Sequence, residues 1–133
     1  MKRILTVGVF DLLHFGHMEL FRKAKALGDF LVVAVQEDAF VTKFKPGTKL
    51  TYTEDQRSYM VASIRYVDQV VLYKTAESIV QQVDFDIFAH GPDQTNSSFI
   101  AAEKWCKEHN KEVVVLPRTE GISTSLIKEI LKK

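Results

Sequence analysis

The chain holds a single cysteine, Cys106, in 133 residues. That count excludes a disulfide within the chain and fits a reducing compartment. It also lacks any apolar run near the length of about 20 residues that a membrane-crossing helix needs. The opening MKRILTVGVF has too short an apolar part for a secretory signal and no small-residue cleavage pattern. We therefore expect a cytoplasmic protein with no membrane partner. Excess charge of one sign is absent as well: 18 Lys and Arg stand against 17 Asp and Glu, a net charge of +1. No global field recruits nucleic acid, and any anion site must be a local cluster. Internal repeats and low-complexity tracts are missing too. What remains is an ordinary composition, 46% hydrophobic and 26% charged, long enough to bury one core and expected to form one domain over residues 1–133.

Short β-rich runs alternate with helical periodicity. Ile4–Val9, Phe30–Val35, Val67–Leu72, Asp86–Ala89 and Glu112–Leu116 read as strands bounded by turn residues. Several are apolar at successive positions, as parallel strands covered on both faces are. Leu20, Phe21, Ala24 and Leu27 form a helical stripe that stops at Gly28. Thr53-Glu54-Asp55-Gln56 reads as a capping box before a helix carrying Met60, Val61 and Ile64. Ile79, Val80 and Val83 mark a shorter helix, Phe99, Ala102 and Trp105 another, and Leu126, Ile127, Ile130 and Leu131 the last. The alternation predicts an α/β fold, a Rossmann-like, doubly wound open parallel sheet of five strands with helices on both faces. Such sheets bind ligands beyond the carboxyl ends of their strands. Residues 41–52, VTKFKPGTKLTY, read as one long polar loop.

Two stretches carry chemistry. In GVFDLLHFGH, residues 8–17, His14 and His17 fall where the first strand gives way to a helix. Free amides and the helix dipole favour an anion there, a spacing of three puts both rings on one face, and Gly16 lets a ligand approach the backbone. The pair reads as a phosphate cradle. Simple helix capping by one histidine and a metal pair are the competing readings, the latter without a third ligand nearby. In RTEGISTSLIKEI, residues 118–130, Arg118 precedes Gly121 and the hydroxyls of Ser123, Thr124 and Ser125. This is a second anion site at a helix start. In a doubly wound sheet both stretches leave the same edge, which suits a triphosphate. Trp105 and Cys106 sit at core spacings, and no role is given to His90 or His109.

The ordered pair of motifs resembles the small nucleotidyltransferases of the cytidylyltransferase type. GVFDLLHFGH matches their HxGH signature, and RTEGISTS matches their second signature almost letter for letter. The resemblance runs nearly the full length through LGDFLVVAV, SIRYVDQVV and the G-x-D of HGPD. It implies in-line transfer of CMP from CTP to a small phosphorylated alcohol, glycerol 3-phosphate first, with pyrophosphate leaving and no covalent enzyme intermediate. His14, His17, Lys43 and Arg118 would then be catalytic. Gly8, Val9, Phe10, Gly16, Arg65, Gly91, Asp93, Thr119, Ser123 and Thr124 would bind the nucleotide. Asp11, Lys45 and Arg57 would face the acceptor, with Lys49 a rival among the loop lysines. Mg²⁺ would bridge phosphate oxygens, with Asp11 its one protein candidate. A homodimer acting in the synthesis of a cell-envelope polymer precursor is also implied.

The match has departures. Gln94 stands where members acting on glycerol 3-phosphate have tryptophan, and an acceptor lysine expected near Ile79 is replaced, although Lys74 is close. GPDQ is similar to the GPNQ of archaeal FAD synthetases, which use ATP. An adenylyltransferase acting on a sugar phosphate or FMN is therefore the alternative. A nucleotide-binding module without catalysis is a third reading, opposed by the intact histidines.

Overall fold

The computed structural model describes residues 1–92 and 96–117. At its centre lie β1 (Arg3–Gly8) and β2 (Phe30–Gln36), almost wholly buried along their length. Strands this apolar must be covered on both faces. β1 pairs in parallel with β2 on one side and with β4 (Ile87–His90) on the other. Outside them lie β3 (Gln69–Tyr73) and β5 (Glu112–Val115). Among the described residues the sheet has five parallel strands in the order β3-β2-β1-β4-β5. The order reverses between β1 and β4. Their carboxyl ends, Gly8 and His90, therefore flank the crevice where doubly wound sheets take ligands.

Alternation along the strands separates two apolar layers. Ile4, Val33, Val35 and Ala89 pack with Phe21 and Ala24 of α1 (Phe15–Ala26) and Val61 of α3 (Glu54–Ala62). Leu5, Val7, Ala34 and Phe88 pack on the opposite face with Ile79 of α4 (Ala76–Ile79) and with Phe99, Ala102 and Cys106 of α5 (Ser97–Glu108). Burial pushes the Cys106 thiol up to about 11, so it serves as packing. The Thr53–Gln56 capping box forms as expected, each side chain accepting from the other's backbone amide.

Three expectations need correction. The strand expected at Val67–Leu72 is Gln69–Tyr73, because Val67 N donates back to Ile64 O in the turn after α3, while Asp68 meets Leu31 of β2 through both its amide and its carboxylate ahead of the regular ladder. Part of the expected 41–52 loop belongs to α2 (Asp38–Phe44). Its N-cap residue Glu37 makes no side-chain capping bond. Asp38 N instead donates to Glu54 Oε1 at 2.9 Å, while Glu54 N donates to Asp38 Oδ2 at 3.3 Å. Residues sixteen positions apart thus start α2, where local sequence offers no signal. Finally, the helix expected to carry Met60, Val61 and Ile64 stops before Ile64, and so before Arg65. α3 ends at Ala62 with Ser63 as its cap.

Candidate functional site

The site begins at the end of β1. Phe10 has φ of +54°, a left-handed conformation that costs a bulky residue about 1–3 kcal/mol. Its ring is held by packing: it lies edge-on to His17, with centroids 5.5 Å apart, and against Phe21 at 5.1 Å. It also fills the space above Gly8, where an added Cβ would stand 2.6 Å from Phe10 Cζ. Gly8 is thus required by close approach.

The two histidines open α1 as a reciprocal cap. His14 is the N-cap, and its Nδ1 accepts from Gly16 N at 3.0 Å. His14 N donates to His17 Nδ1 at 3.2 Å, and the rings stack with centroids 3.9 Å apart. Each Nδ1 is therefore an acceptor, and a neutral ring in this position carries its hydrogen on Nε2. The sequence reading set capping against phosphate binding. Here both fit one geometry: the cap uses Nδ1 and fixes the tautomer, which places the ring hydrogen on Nε2. Burial, reinforced by the neighbouring His14, lowers the pKa of His17 to about 4. At neutral pH it is an uncharged donor, not the cation that the motif suggested.

That shift makes stability depend on pH. An unfolded chain takes up a proton at His17 near its ordinary value of 6.5, whereas the folded chain resists until about 4. The contribution is whole above pH 6.5 and declines as pH falls through that window. Going from pH 7 to pH 5 should remove on the order of 2 kcal/mol. Urea midpoints at the two pH values measure it, and His17→Gln should lack that increment.

Asp11, expected at the acceptor or a metal, is buried and fixes backbone. Its carboxylate accepts from Thr51 N at 3.0 and 2.9 Å and from Tyr52 N at 3.0 Å. The segment it anchors lies forty residues away. Arg57, expected to meet the acceptor from a solvated helix face, is fully buried. Nη1 donates to Val9 O at 2.8 Å, Nε donates to Tyr52 O at 3.2 Å, and Nη2 pairs with Asp38. All three fan directions of the guanidinium are spent inside the protein, so Arg57 shapes the Val9–Phe10 turn. Arg65 is exposed beyond the end of α3, near the amino end of β3, and its guanidinium lies 5.7 Å from the Tyr66 ring. Strands that run parallel put that turn at the sheet edge opposite Gly8 and His90. Within this chain Arg65 therefore lies away from the crevice between β1 and β4.

Lys43 lies in the last turn of α2, and Lys45 is its C-cap. Both are exposed. The Lys43 ammonium is 5.4 Å from the Phe40 ring centroid, and that of Lys74, just past β3, is 6.0 Å from it. One aromatic ring thus gathers two cations on the carboxyl side of the sheet. Lys45 closes a turn containing Gly47, with Thr48 N donating to Lys45 O at 3.1 Å. Gly91 follows β4, and a Cβ built on it meets nothing within 4 Å. Asp93, Arg118, Thr119, Ser123 and Thr124 lie outside the described residues. β5 ends at the same edge as β4, where Leu116 N donates to His90 O at 2.8 Å. Among the described residues no group of three His, Cys, Asp or Glu side chains is placed to hold a metal ion, and no helix is long and apolar enough to cross a membrane.

Comparison with known proteins agrees with this geometry. The chain is 44% identical to the glycerol-3-phosphate cytidylyltransferase of Staphylococcus aureus, over 98% of its own length and 96% of the relative's. It is 42% identical to that of Bacillus subtilis, over 97% and 96%. A crystal structure of a lipopolysaccharide core biosynthesis protein from Thermoplasma volcanium superposes with a TM-score of 0.72, at 29% identity, covering 90% of this chain and 97% of the other. A family model described as cytidylyltransferase-like matches residues 5–130. With a histidine-capped helix at the reversal point of a parallel sheet and relatives this similar along their whole length, the chain belongs to the cytidylyltransferase-like family.

Proposed function

We propose that this chain transfers CMP from CTP to glycerol 3-phosphate. The observation that carries the reading is the histidine cap of α1, which locks both Nδ1 atoms to backbone amides and so puts the hydrogen of a neutral ring on Nε2. A phosphate oxygen of the acceptor attacks the α-phosphorus of CTP. The new P–O bond forms in line as the bond to the β-phosphate bridging oxygen breaks, and pyrophosphate departs. No covalent enzyme intermediate is needed, so the protein positions the substrates and stabilises charge on the phosphoryl oxygens. His14 and His17 donate from Nε2 to those oxygens. Lys43 and Lys74 offer positive charge where α2 and the end of β3 meet, suited to the acceptor's phosphate. Arg118 with Thr119, Ser123 and Thr124 holds the triphosphate, and Asp93 with Gly91 faces the base or ribose.

Mg²⁺ belongs to the proposal as a companion of the triphosphate. The carboxylate first considered for it, Asp11, already accepts from two backbone amides. The described residues thus offer no ready ligand set, and no step is assigned to the ion through the protein. Family resemblance further supports a cytoplasmic homodimer that supplies an activated alcohol for an envelope polymer.

A matrix of nucleotides against acceptors, followed by pyrophosphate release with and without a chelator, tests all of this. CTP with glycerol 3-phosphate should be the productive pair, and chelation should stop it. Turnover confined to ATP with FMN or a sugar phosphate would replace this reading with adenylyl transfer, the alternative that the GPDQ segment supports.

A further inference from the structure

His90 is the last residue of β4, at the crevice, and is 3% exposed. Its ring sits beside Phe88 and Phe99, with centroids 5.4 and 5.9 Å away. Nε2 lies 2.6 Å from Glu103 Oε1 on α5, and Nδ1 lies 2.8 Å from the carbonyl oxygen of Gly91. Both ring nitrogens thus face oxygen acceptors. A hydrogen on Nδ1 lets the ring donate to that carbonyl while Nε2 pairs with the Glu103 carboxyl.

Stability alone does not call for this arrangement. A buried ion pair is seldom better for stability than apolar side chains of similar volume, and Phe88 and Phe99 would pack against a leucine as readily. What the pair adds is direction, because it seizes the carbonyl of the residue that leaves β4. That residue is Gly91, where neither backbone conformation nor crowding requires glycine: its φ is not positive, and an added Cβ meets nothing within 4 Å. The glycine keeps the crevice wall open. On its other side the backbone is also tied, since His90 O accepts from Leu116 N at 2.8 Å and His90 registers with Val115 of β5.

We infer that His90 is a positioning residue of the nucleotide site: its ring, anchored by Glu103, holds the carbonyl of Gly91 through Nδ1–H and so sets the course of the 91–92 turn along the crevice between β1 and β4. The inference rests on the reading that this crevice takes CTP.

Two measurements test it, and they separate it from that reading. Long-range ¹H–¹⁵N spectra of the ligand-free protein should report a hydrogen on His90 Nδ1. A bare Nδ1 would overturn the inference. In kinetics, Glu103→Gln and His90→Leu should each raise KM for CTP about fivefold while kcat stays within about twofold. Glu103 is part-exposed, so the first variant should keep its fold even where the second loses stability. Unchanged KM in folded Glu103→Gln overturns the inference, as does a fall in kcat that merely tracks the unfolded fraction. Addition of CTP to the parent protein should also shift the Gly91 amide resonance. If CTP is turned over and that amide does not respond, the turn lies off the nucleotide and the positioning role fails. Absence of any turnover or binding of CTP would instead sink the proposed function itself.

Discussion

Replacing Arg57 with methionine is expected to cost the fold about 3 kcal/mol and to lower the melting temperature by about 10 °C. Methionine keeps the apolar stem in its channel, so the loss isolates the guanidinium. Three acceptors then lose their donors: the Val9 and Tyr52 carbonyls and the Asp38 carboxylate. The Asp38 side chain is 41% exposed and can turn to water, which keeps the cost at the low end of the range for a broken buried pair. The carbonyls have less freedom to do so. Asp38→Asn should therefore cost clearly less than Arg57→Met, since asparagine still accepts a hydrogen bond. Equal losses in urea titrations would mean that the ion pair, rather than the hold on Val9 and Tyr52, is what matters. Activity should also fall in Arg57→Met, because Val9 precedes the left-handed Phe10 whose ring supports His17.

Arg57 also shows where a sequence is legible and where it is not. Arg57, Val61 and Ile64 stand at i, i+4 and i+7, one stripe of a helix. That spacing is a signal for burial, yet an arginine there reads as solvated because its partners are Asp38, nineteen positions back, and a carbonyl forty-eight positions back. The same long-range pairing conceals α2, whose first turn is tied to Glu54 and not to a local cap. Arg65 was misplaced for the opposite reason. No glycine or proline stops α3 at Ala62; its final carbonyls are taken by Ser63 and Ile64 in a tightened last turn. By contrast, the five parallel strands were readable, since doubly covered strands announce themselves by unbroken apolar runs. The histidine pair was readable as well, because a spacing of three at a strand-to-helix junction is a local property. Its protonation state was not, for the Phe10 ring that helps bury His17 depends on an unusual backbone angle.

The histidines give the largest expected effect on rate. His17→Asn and His14→Asn should each lower kcat by on the order of 10²-fold or more, the scale of losing one oriented donor to a developing negative charge. Asparagine is the informative replacement. Its side-chain oxygen can take the place of Nδ1, so each cap of α1 can survive, and asparagine is among the favoured N-cap residues. What it removes is Nε2–H, the group proposed to donate to the phosphates. Alanine would remove both and confound a capping loss of about 1 kcal/mol with the chemistry. The two variants should therefore unfold at urea midpoints close to the parent's while turnover collapses, and KM for CTP should change far less than kcat. Should both asparagine variants turn over at the parent's rate, the imidazoles would be helix caps and nothing more, and the transition state would have to draw its donors from elsewhere in the crevice.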